Sequence, residues 1–311
     1  MSTTNTSSLA KARITDRALA ERRLGWRLAG PAFVIMVLVT LYPIAQAVYT
    51  SLFNYRLTNP SGREFVFLRN YGIILTDPLW WQAFGATALI TLITVVIELI
   101  LGFGIALAME KVIHGRGLLR TIVLIPYSII TVVSAFSWFY AFATDTGFVD
   151  PLLNRLTFGV FPADFDWFGG FGSSLVPICV SEIWKTTPFM SLLLLAGLTQ
   201  IDSAMEEAAI VDGATWGERL RRVILPNMKS QIMVALLFRT LDAFRIFDNI
   251  FIMTGGSHNT ASLSLVAYNQ TISRTEVGLG SAVSVLLFLC VVIIAVIFVK
   301  GFRVDLARGR R

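Results

Sequence analysis

Charged side chains inside long apolar segments are the first feature of this sequence that suggests chemistry. Four of them follow one another at intervals of three residues in one apolar segment: Arg239, Asp242, Arg245 and Asp248. Glu182 and Lys185 have the same spacing in another segment, beside Trp184. Opposite charges three residues apart pair along one helical face, and charges in apolar helices face a bundle interior or a water-filled path. Two interpretations therefore stay open, structural ion pairs or a polar path for a solute.

A lone acid, Glu98, lies in a third apolar segment on the same helical stripe as Gly102 and Ala106. Small residues at this spacing allow two helices to approach closely. We expect the Glu98 carboxyl to form a hydrogen bond across that helix contact. A proton relay through this carboxyl is the alternative.

Signatures of catalytic and metal sites are missing from the sequence. The GxxxxGK[ST] phosphate-binding pattern and the HExxH and GxSxG patterns of hydrolases do not occur. Cys179 and Cys290 lie far apart in apolar segments, and His114 and His258 are also widely separated, so neither pair has metal-ligand spacing. We expect a non-catalytic chain that holds no metal and does not hydrolyse ATP alone.

The composition indicates that lipid covers much of the chain. The 311 residues are 55% apolar and 15% charged, whereas soluble domains are about 25% charged. Six apolar segments are long enough to cross about 30 Å of hydrocarbon as helices: 28–52, 83–109, 119–143, 174–199, 230–253 and 277–300. The sequence therefore predicts an all-α membrane protein with six transmembrane helices, in a domain of residues 28–300.

Basic residues alternate between the connections of these segments. They are abundant in the tails 1–27 and 301–311 and in the second and fourth connections, and sparse in the other three. Because positive charge marks the cytoplasmic side of a membrane, both termini are predicted to be cytoplasmic. The net charge of +6 follows this alternation and forms no basic face, so we expect no nucleic-acid partner.

The fourth connection, residues 200–229, is longer than a simple link requires and predicts two short helices joined by a turn. Two residue pairs have the spacing of a capping box: Ser203 with Glu206, and Thr215 with Glu218. Gly213 stands where a glycine with positive φ ends the first helix, and Pro226 marks a break in the second. A helical hairpin without a partner is the alternative to a docking element.

Several residues of this connection form a long gapped pattern: Glu207-Ala208-Ala209, Asp212-Gly213-Ala214, Val223 and Leu225-Pro226. The pattern resembles the EAA loop of the permease subunits of binding-protein-dependent ABC importers, with Val223 where the family usually has isoleucine. The resemblance implies the type I ABC importer permease fold and a location in the bacterial cytoplasmic membrane, in contact with lipid.

The resemblance also implies protein partners and a division of labour among them. They are a second, different permease subunit, a dimer of ATPase subunits and an external solute-binding protein. ATP and Mg belong to the ATPase subunits, and no cofactor is expected on this chain.

In that family the EAA loop contains a coupling helix that docks on the ATPase. The resemblance assigns this role to ten residues: Glu206, Glu207, Ala208, Ala209, Asp212, Gly213, Ala214, Arg219, Leu225 and Pro226. For Arg219, Arg221 and Arg222, ion pairs with the ATPase and anchoring at the membrane surface are both open.

Two stretches in the first and third external connections narrow the resemblance to sugar permeases related to the larger membrane subunit of the maltose importer. One is Phe67-Leu68-Arg69-Asn70-Tyr71. The other is Thr254-Gly255-Gly256, which is similar to the TGGGP turn of that subgroup but continues with Ser257 and His258. The chain also resembles actinobacterial disaccharide permeases, which suggests a disaccharide such as trehalose as the substrate.

A sugar path needs donors and acceptors for hydroxyls and an aromatic ring for the apolar face of the sugar. The candidate residues are Trp184, Lys185, Arg239, Asp242, Asn249, Tyr268, Asn269 and Gln270. Polar residues near the external mouth serve equally well as contacts for the binding protein. Two other functions stay open, an ABC permease for another solute such as glycerol phosphate or an oligopeptide, and a proton-coupled sugar carrier.

Overall fold

The computed structural model describes residues 16–112 and 115–301 of the chain. Most of each predicted tail, 1–27 and 301–311, therefore lies outside the described residues, as does His114. The chain divides into two compact units, Met1–Tyr49 and Thr50–Arg311.

Helices dominate the described residues. In chain order the elements are α1 (Asp16–Ser51), β1 (Phe53–Arg56), β2 (Asn59–Phe65), α2 (Arg69–Thr76), α3 (Pro78–Lys111), α4 (Arg116–Ser128), α5 (Thr131–Ala141), α6 (Val149–Leu156), α7 (Phe171–Leu198), α8 (Ser203–Val211), α9 (Trp216–Arg219), α10 (Leu225–Asn227), α11 (Lys229–Ala243), α12 (Asp248–Met253), α13 (Leu263–Tyr268) and α14 (Val277–Gly301). A short 3₁₀ turn occupies Ser257–Asn259, and π-helical turns occupy Leu220–Ile224 and Asn269–Ser273.

Four described helices are long and apolar enough to cross a membrane, and they correspond to four of the predicted segments. They are Arg23–Ser51 within α1, then α3, α7 and α14. α1 begins at Asp16, inside the predicted tail, and its large apolar side chains, such as Phe33 and Leu38, are exposed. Exposed apolar side chains on a helix of this length are typical of a surface that faces lipid.

The predicted segment 119–143 is bent. α4 and α5 meet at an angle of 83° and make a fifth candidate crossing if the pair is counted as one span. Ile129 and Ile130, between the two helices, have extended backbone angles. The chain therefore changes direction sharply between α4 and α5.

The predicted segment 230–253 is interrupted. α11 has 15 residues, which make about 22 Å of helix, and four residues, Phe244–Phe247, separate it from α12. Non-helical backbone at membrane depth is tolerated where protein or a water-filled cavity surrounds it. The six predicted segments are therefore four continuous helices and two interrupted ones.

A two-stranded antiparallel hairpin departs from the predicted all-α class. β1 pairs with β2 in a register that places Phe53 opposite Phe65, and the side chain of buried Asn70 donates hydrogen bonds to the carbonyls of Ser51 and Phe53 at 2.7 and 2.9 Å. Glu276, just before α14, forms an ion pair with Arg56 of the hairpin. The hairpin thus joins the start of the second unit to its last helix.

α3 and α7 pack extensively against each other along the predicted stripe of small residues. Glu98, Gly102 and Ala106 are all buried. A Cβ atom added at Gly102 would lie 2.9 Å from Cγ of Met190 and 3.2 Å from the backbone nitrogen of Ser191. A side chain at this position would therefore have to displace Met190 and crowd the backbone of α7.

We predict that Gly102→Val destabilises the protein, because the new side chain overpacks the α3–α7 contact at a cost of about 1–3 kcal/mol. Thermal unfolding of the purified protein in detergent measures the effect. Gly104→Val is the matched control, since Gly104 lies two residues away in the same helix and a Cβ there meets nothing within 4 Å. Equal unfolding temperatures for the two variants would contradict the prediction.

Candidate functional site

The 200–229 segment folds as two short helices and a turn, as the sequence predicts. Its first cap differs from the prediction: the Asp202 carboxylate accepts the backbone N–H of Ala204 at 3.0 Å, and Ser203 is already helical. The predicted capping box of Ser203 with Glu206 is therefore wrong. Aspartate and serine are both good caps, and the extended backbone of Asp202 decides between them.

Gly213 ends α8 as predicted, with a φ of +79°. Its N–H bonds to the carbonyl of Ile210 at 3.0 Å, and the N–H of Ala214 bonds to the carbonyl of Ala209 at 2.9 Å. This pair of bonds is a Schellman motif, which needs a left-handed residue at the glycine position. Asp212 is the C-cap that precedes it.

The second predicted capping box, Thr215 with Glu218, is confirmed. The Thr215 hydroxyl accepts the N–H of Glu218, and the Glu218 carboxylate accepts both the N–H and the hydroxyl of Thr215 at 2.9 Å. The Thr215 N–H is the main cause that lowers the pKa of Glu218, and the hydroxyl adds to it. The carboxylate thus stays charged at neutral pH and holds the start of α9.

α8 exposes apolar as well as acidic side chains. Met205, Ile210 and Val211 are 46%, 53% and 87% exposed, and Glu207 and Ala208 are exposed beside them. An apolar surface rimmed by charge on a short helix is typical of a docking site for another protein.

An ion pair ties α8 to α9. Arg219 reaches Glu206 at 3.3 Å, so this arginine has a partner within the segment. Arg221 and Arg222 are exposed.

The chain widens into a π-helical turn at Leu220–Ile224 before Pro226, and the Leu225 N–H bonds to the carbonyl of Leu220. Pro226 follows within α10, and α11 begins at Lys229. Because proline has no N–H to donate, the helix is irregular here, and the predicted break takes the form of a π turn followed by a three-residue helix.

A buried network of charges joins α3, α7 and α11. Arg239 is 1% exposed and donates from Nε and Nη2 to the two oxygens of the Glu98 carboxylate, at 2.6 and 2.9 Å. Its Nη2 also lies 3.2 Å from Glu182, and its Nη1 lies 2.5 Å from Asp242. The structure contains the ion pair of Arg239 with Asp242 that their spacing allows, and the predicted bond of Glu98 across a helix contact is confirmed.

Three further side chains, those of Thr186, Asn249 and Ser181, complete this network. The Thr186 hydroxyl lies 2.6 Å from Glu98 and accepts from Arg239 at 3.0 Å. Asn249 donates to the second oxygen of Glu182 at 2.8 Å, and its own oxygen accepts from Ser181 at 3.3 Å. Multiple charge-assisted bonds of this kind offset the cost of burying the ions.

A polar cleft of about 470 Å³ opens next to the network, at the break between α11 and α12. Its charged lining residues are Glu182, Lys185, Asp242, Arg245 and Asp248, and its other lining residues include Tyr127, Thr131, Thr186, Phe247 and Asn249. The Lys185 ammonium lies 5.5 Å from the centre of the Tyr127 ring, and it forms no ion pair among the described residues. The cleft thus presents donors, acceptors and aromatic rings together, as a polyhydroxylated solute requires.

The structure brings together some of the candidate path residues and separates others. Lys185, Asp242 and Asn249 line the cleft, whereas Arg239 lies buried behind it. Trp184 contacts Trp138, at 5.8 Å between ring centres, in a separate apolar pocket.

The remaining three candidates lie on α13 and the π-helical turn after it. Tyr268 packs against Phe247 and Phe251. Asn269 accepts a hydrogen bond from Ser273, and Gln270 is buried with its side-chain oxygen unpaired among the described residues.

Sequence reasoning left several cleft residues out of the candidate path. Helical spacing is a signal for two of them, because Glu182 lies one turn before Lys185 and Thr186 lies one turn after Glu182. Arg245 and Asp248 belong to the run of charges at intervals of three. No sequence signal identified Tyr127 and Thr131, because the bend between α4 and α5 brings them to the cleft.

Comparisons with known proteins identify the family of the chain. The chain matches the model of the family described as "Binding-protein-dependent transport system inner membrane component" over residues 99–304. It is 49% identical over 288 residues to the trehalose transport system permease protein SugA of Mycobacterium tuberculosis, which covers 93% of this chain and 91% of the relative. It is 36% identical over 282 residues to the trehalose/maltose transport system permease protein MalF of Thermococcus litoralis, covering 90% and 94%.

A solved structure has the same fold. It is a bacterial alginate ABC transporter in complex with an alginate pentasaccharide-bound periplasmic protein. One of its chains matches with a TM-score of 0.75 and 18% identity, covering 95% of this chain and 99% of that chain.

We predict that Asp202→Ala weakens α8 by about 1 kcal/mol, because it removes the cap of the first turn. Ser203→Ala is the control and leaves the helix intact, since Ser203 does not cap. Hydrogen exchange of the α8 backbone amides in the purified protein measures both effects. Faster exchange in Ser203→Ala than in Asp202→Ala would contradict the Asp202 cap and favour the capping box of Ser203 with Glu206.

Proposed function

Since the chain belongs to the family of binding-protein-dependent transport system inner membrane components, we propose that it is a permease subunit of an ATP-driven ABC importer that moves a sugar into the cytoplasm. The substrate we propose is a disaccharide such as trehalose. The observation that carries this proposal is the 49% identity, over 93% of the chain, to a permease named for trehalose transport. The polar cleft at the α11–α12 break supports it, because its charged and polar lining residues are partners for sugar hydroxyls.

In this proposal the cleft residues Lys185, Asp242 and Asn249 contact the sugar, and Arg239 supports them from behind. Trp184, Tyr268, Asn269 and Gln270 lie outside the cleft lining. They remain candidates for contacts made on another surface or in another conformation of the transport cycle.

We further propose that the 200–229 segment couples the chain to an ATPase. α8 docks in the ATPase through its exposed acidic and apolar side chains, and the ATPase dimer holds ATP and Mg. Glu207, Ala208 and Ala209 lie on α8, Asp212, Gly213 and Ala214 form its turn, and Leu225 and Pro226 lead back to α11. Arg219 supports α8 from within the segment through Glu206.

The proposed topology has six crossings with both termini in the cytoplasm. α4–α5 and α11–α12 are then interrupted crossings, and the α11–α12 break lies at membrane depth beside the solute. A second permease subunit completes the path, and an external solute-binding protein delivers the sugar. The chain itself is non-catalytic and holds no cofactor.

Reconstitution tests this function directly. The chain is placed in proteoliposomes with its genomic partners, and ATP hydrolysis is measured with the binding protein and a panel of disaccharides. Stimulation of ATP hydrolysis by one loaded binding protein, with uptake of that sugar, is the expected result. Uptake that follows an imposed proton gradient without any ATPase would overturn the proposal in favour of a secondary carrier. Stimulation of ATP hydrolysis by a binding protein loaded with glycerol phosphate or an oligopeptide would show that the substrate is that solute and not a sugar.

We predict that Gly213→Val abolishes ATP-driven uptake while the chain still inserts into the membrane. A β-branched residue does not adopt the φ of +79° that the α8 turn requires. Gly217→Val is the control, because Gly217 lies in α9 and a Cβ there meets nothing within 4 Å. Uptake by Gly213→Val equal to that of the control would sink the coupling role of this turn.

We predict that Lys185→Met lowers sugar uptake by about tenfold, because the cleft loses a charged donor for a sugar hydroxyl. Uptake of labelled sugar into proteoliposomes is the measurement. Lys300→Met, at the exposed end of α14, is the control. An unchanged rate for Lys185→Met would remove this residue from the sugar path.

A further inference from the structure

Among the described residues, the most deeply buried charges lie behind the cleft. Arg239 and Glu98 are 1% and 0% exposed, and neither lines the cleft. Asp242, which Arg239 contacts, has a side chain that is 61% exposed. Buried charges are therefore bonded directly to a charge that a solute in the cleft is able to reach.

The guanidinium of Arg239 donates both to Glu98 and to residues that line the cleft. Nε and Nη2 each donate a hydrogen bond to Glu98, which does not line the cleft. Nη1 donates to Oδ2 of Asp242, and the two N–H groups of Nη2 are shared among Glu98, Oε1 of Glu182 and the Thr186 hydroxyl. Apart from Glu98, each of these acceptors belongs to a residue that lines the cleft.

The second oxygens of the two acids show what this arrangement accomplishes. Oε2 of Glu182 accepts from Asn249, another lining residue. Oδ1 of Asp242 takes no hydrogen bond from the described residues. With Oδ2 fixed by the arginine, Oδ1 is the oxygen left for a hydroxyl of the solute.

From this geometry, and resting on the proposed sugar transport, we infer that Arg239 and Glu98 are a positioning pair for the sugar site. The Glu98 carboxylate fixes the plane of the guanidinium, and the guanidinium fixes the directions of the Asp242 and Glu182 carboxylates. Neither member of the pair touches the sugar. A planar fork is suited to this task because it addresses several acceptors in fixed directions, which a lysine ammonium does not do.

The same bonds also join three helices, so a purely structural role is the competing explanation. The two roles differ in what they change. Loss of helix packing lowers assembly, ATP hydrolysis and uptake in proportion. Loss of carboxylate positioning lets the loaded binding protein stimulate ATP hydrolysis, while less sugar is captured in each cycle.

The experiment uses the complete importer in proteoliposomes with saturating loaded binding protein, and it measures sugar taken up per ATP hydrolysed. We expect Arg239→Lys to lower this ratio by about tenfold, the loss of one charge-assisted bond, with stimulated ATP hydrolysis retained. Glu98→Gln is also expected to lower the ratio, although the residue does not line the cleft. Thr94→Val is the matched control and leaves the ratio unchanged, because buried Thr94 lies one turn before Glu98 and bonds within its own helix.

An unchanged ratio in Arg239→Lys and Glu98→Gln would overturn the inference, as would a proportional loss of ATP hydrolysis and uptake. If Arg239→Lys does not assemble, the ratio for Glu98→Gln decides. Failure of the wild-type importer to respond to any loaded binding protein is a separate result, which contradicts the proposed function itself.

Discussion

A guanidinium buried in an apolar bundle requires acceptors for its donors, and this requirement organises the second unit of the chain. Arg239 of α11 meets it with Glu98 of α3, Glu182 and Thr186 of α7, and Asp242 on its own helix. Without Arg239, the buried carboxylates of Glu98 and Glu182 would lose their counter-ion, and an unpaired buried charge costs about 3–5 kcal/mol. The three helices are therefore held in one arrangement at the level of the cleft.

The cleft depends on that arrangement and on the interruption that follows it. α11 ends at Ala243, and the non-helical residues before α12 place Arg245, Phe247 and Asp248 at the cleft wall. An uninterrupted helix would place Arg245 and Asp248 on one face and would direct Phe247 to another. The backbone that is freed from helical bonding lies beside a polar cavity, where unpaired groups are tolerated.

The two functional regions share their supporting helices. α7 leads into the 200–229 segment and α11 leads out of it, and the buried network joins the same two helices beside the cleft. The α3–α7 contact at Gly102 continues along the same face of α7, one turn beyond the bond of Thr186 with Glu98. In the proposed importer, a displacement of α8 by an ATPase is carried to the cleft by helices that are bonded to each other, and this is a physical basis for coupling over distance.

Local patterns in the sequence determined the apolar segments, the Schellman turn at Gly213 and the capping box of Thr215 with Glu218, because neighbours within one or two turns decide these features. The EAA pattern also indicated the family. Tertiary structure decided the rest. Asp202 caps α8 in place of Ser203 because of the path of the chain after α7, and the hairpin β1–β2 depends on Asn70 and Glu276 from distant positions. Above all, the partners of Arg239 lie 141 and 57 residues away at Glu98 and Glu182, and a periodic pattern carries no information about which helix a buried charge will meet.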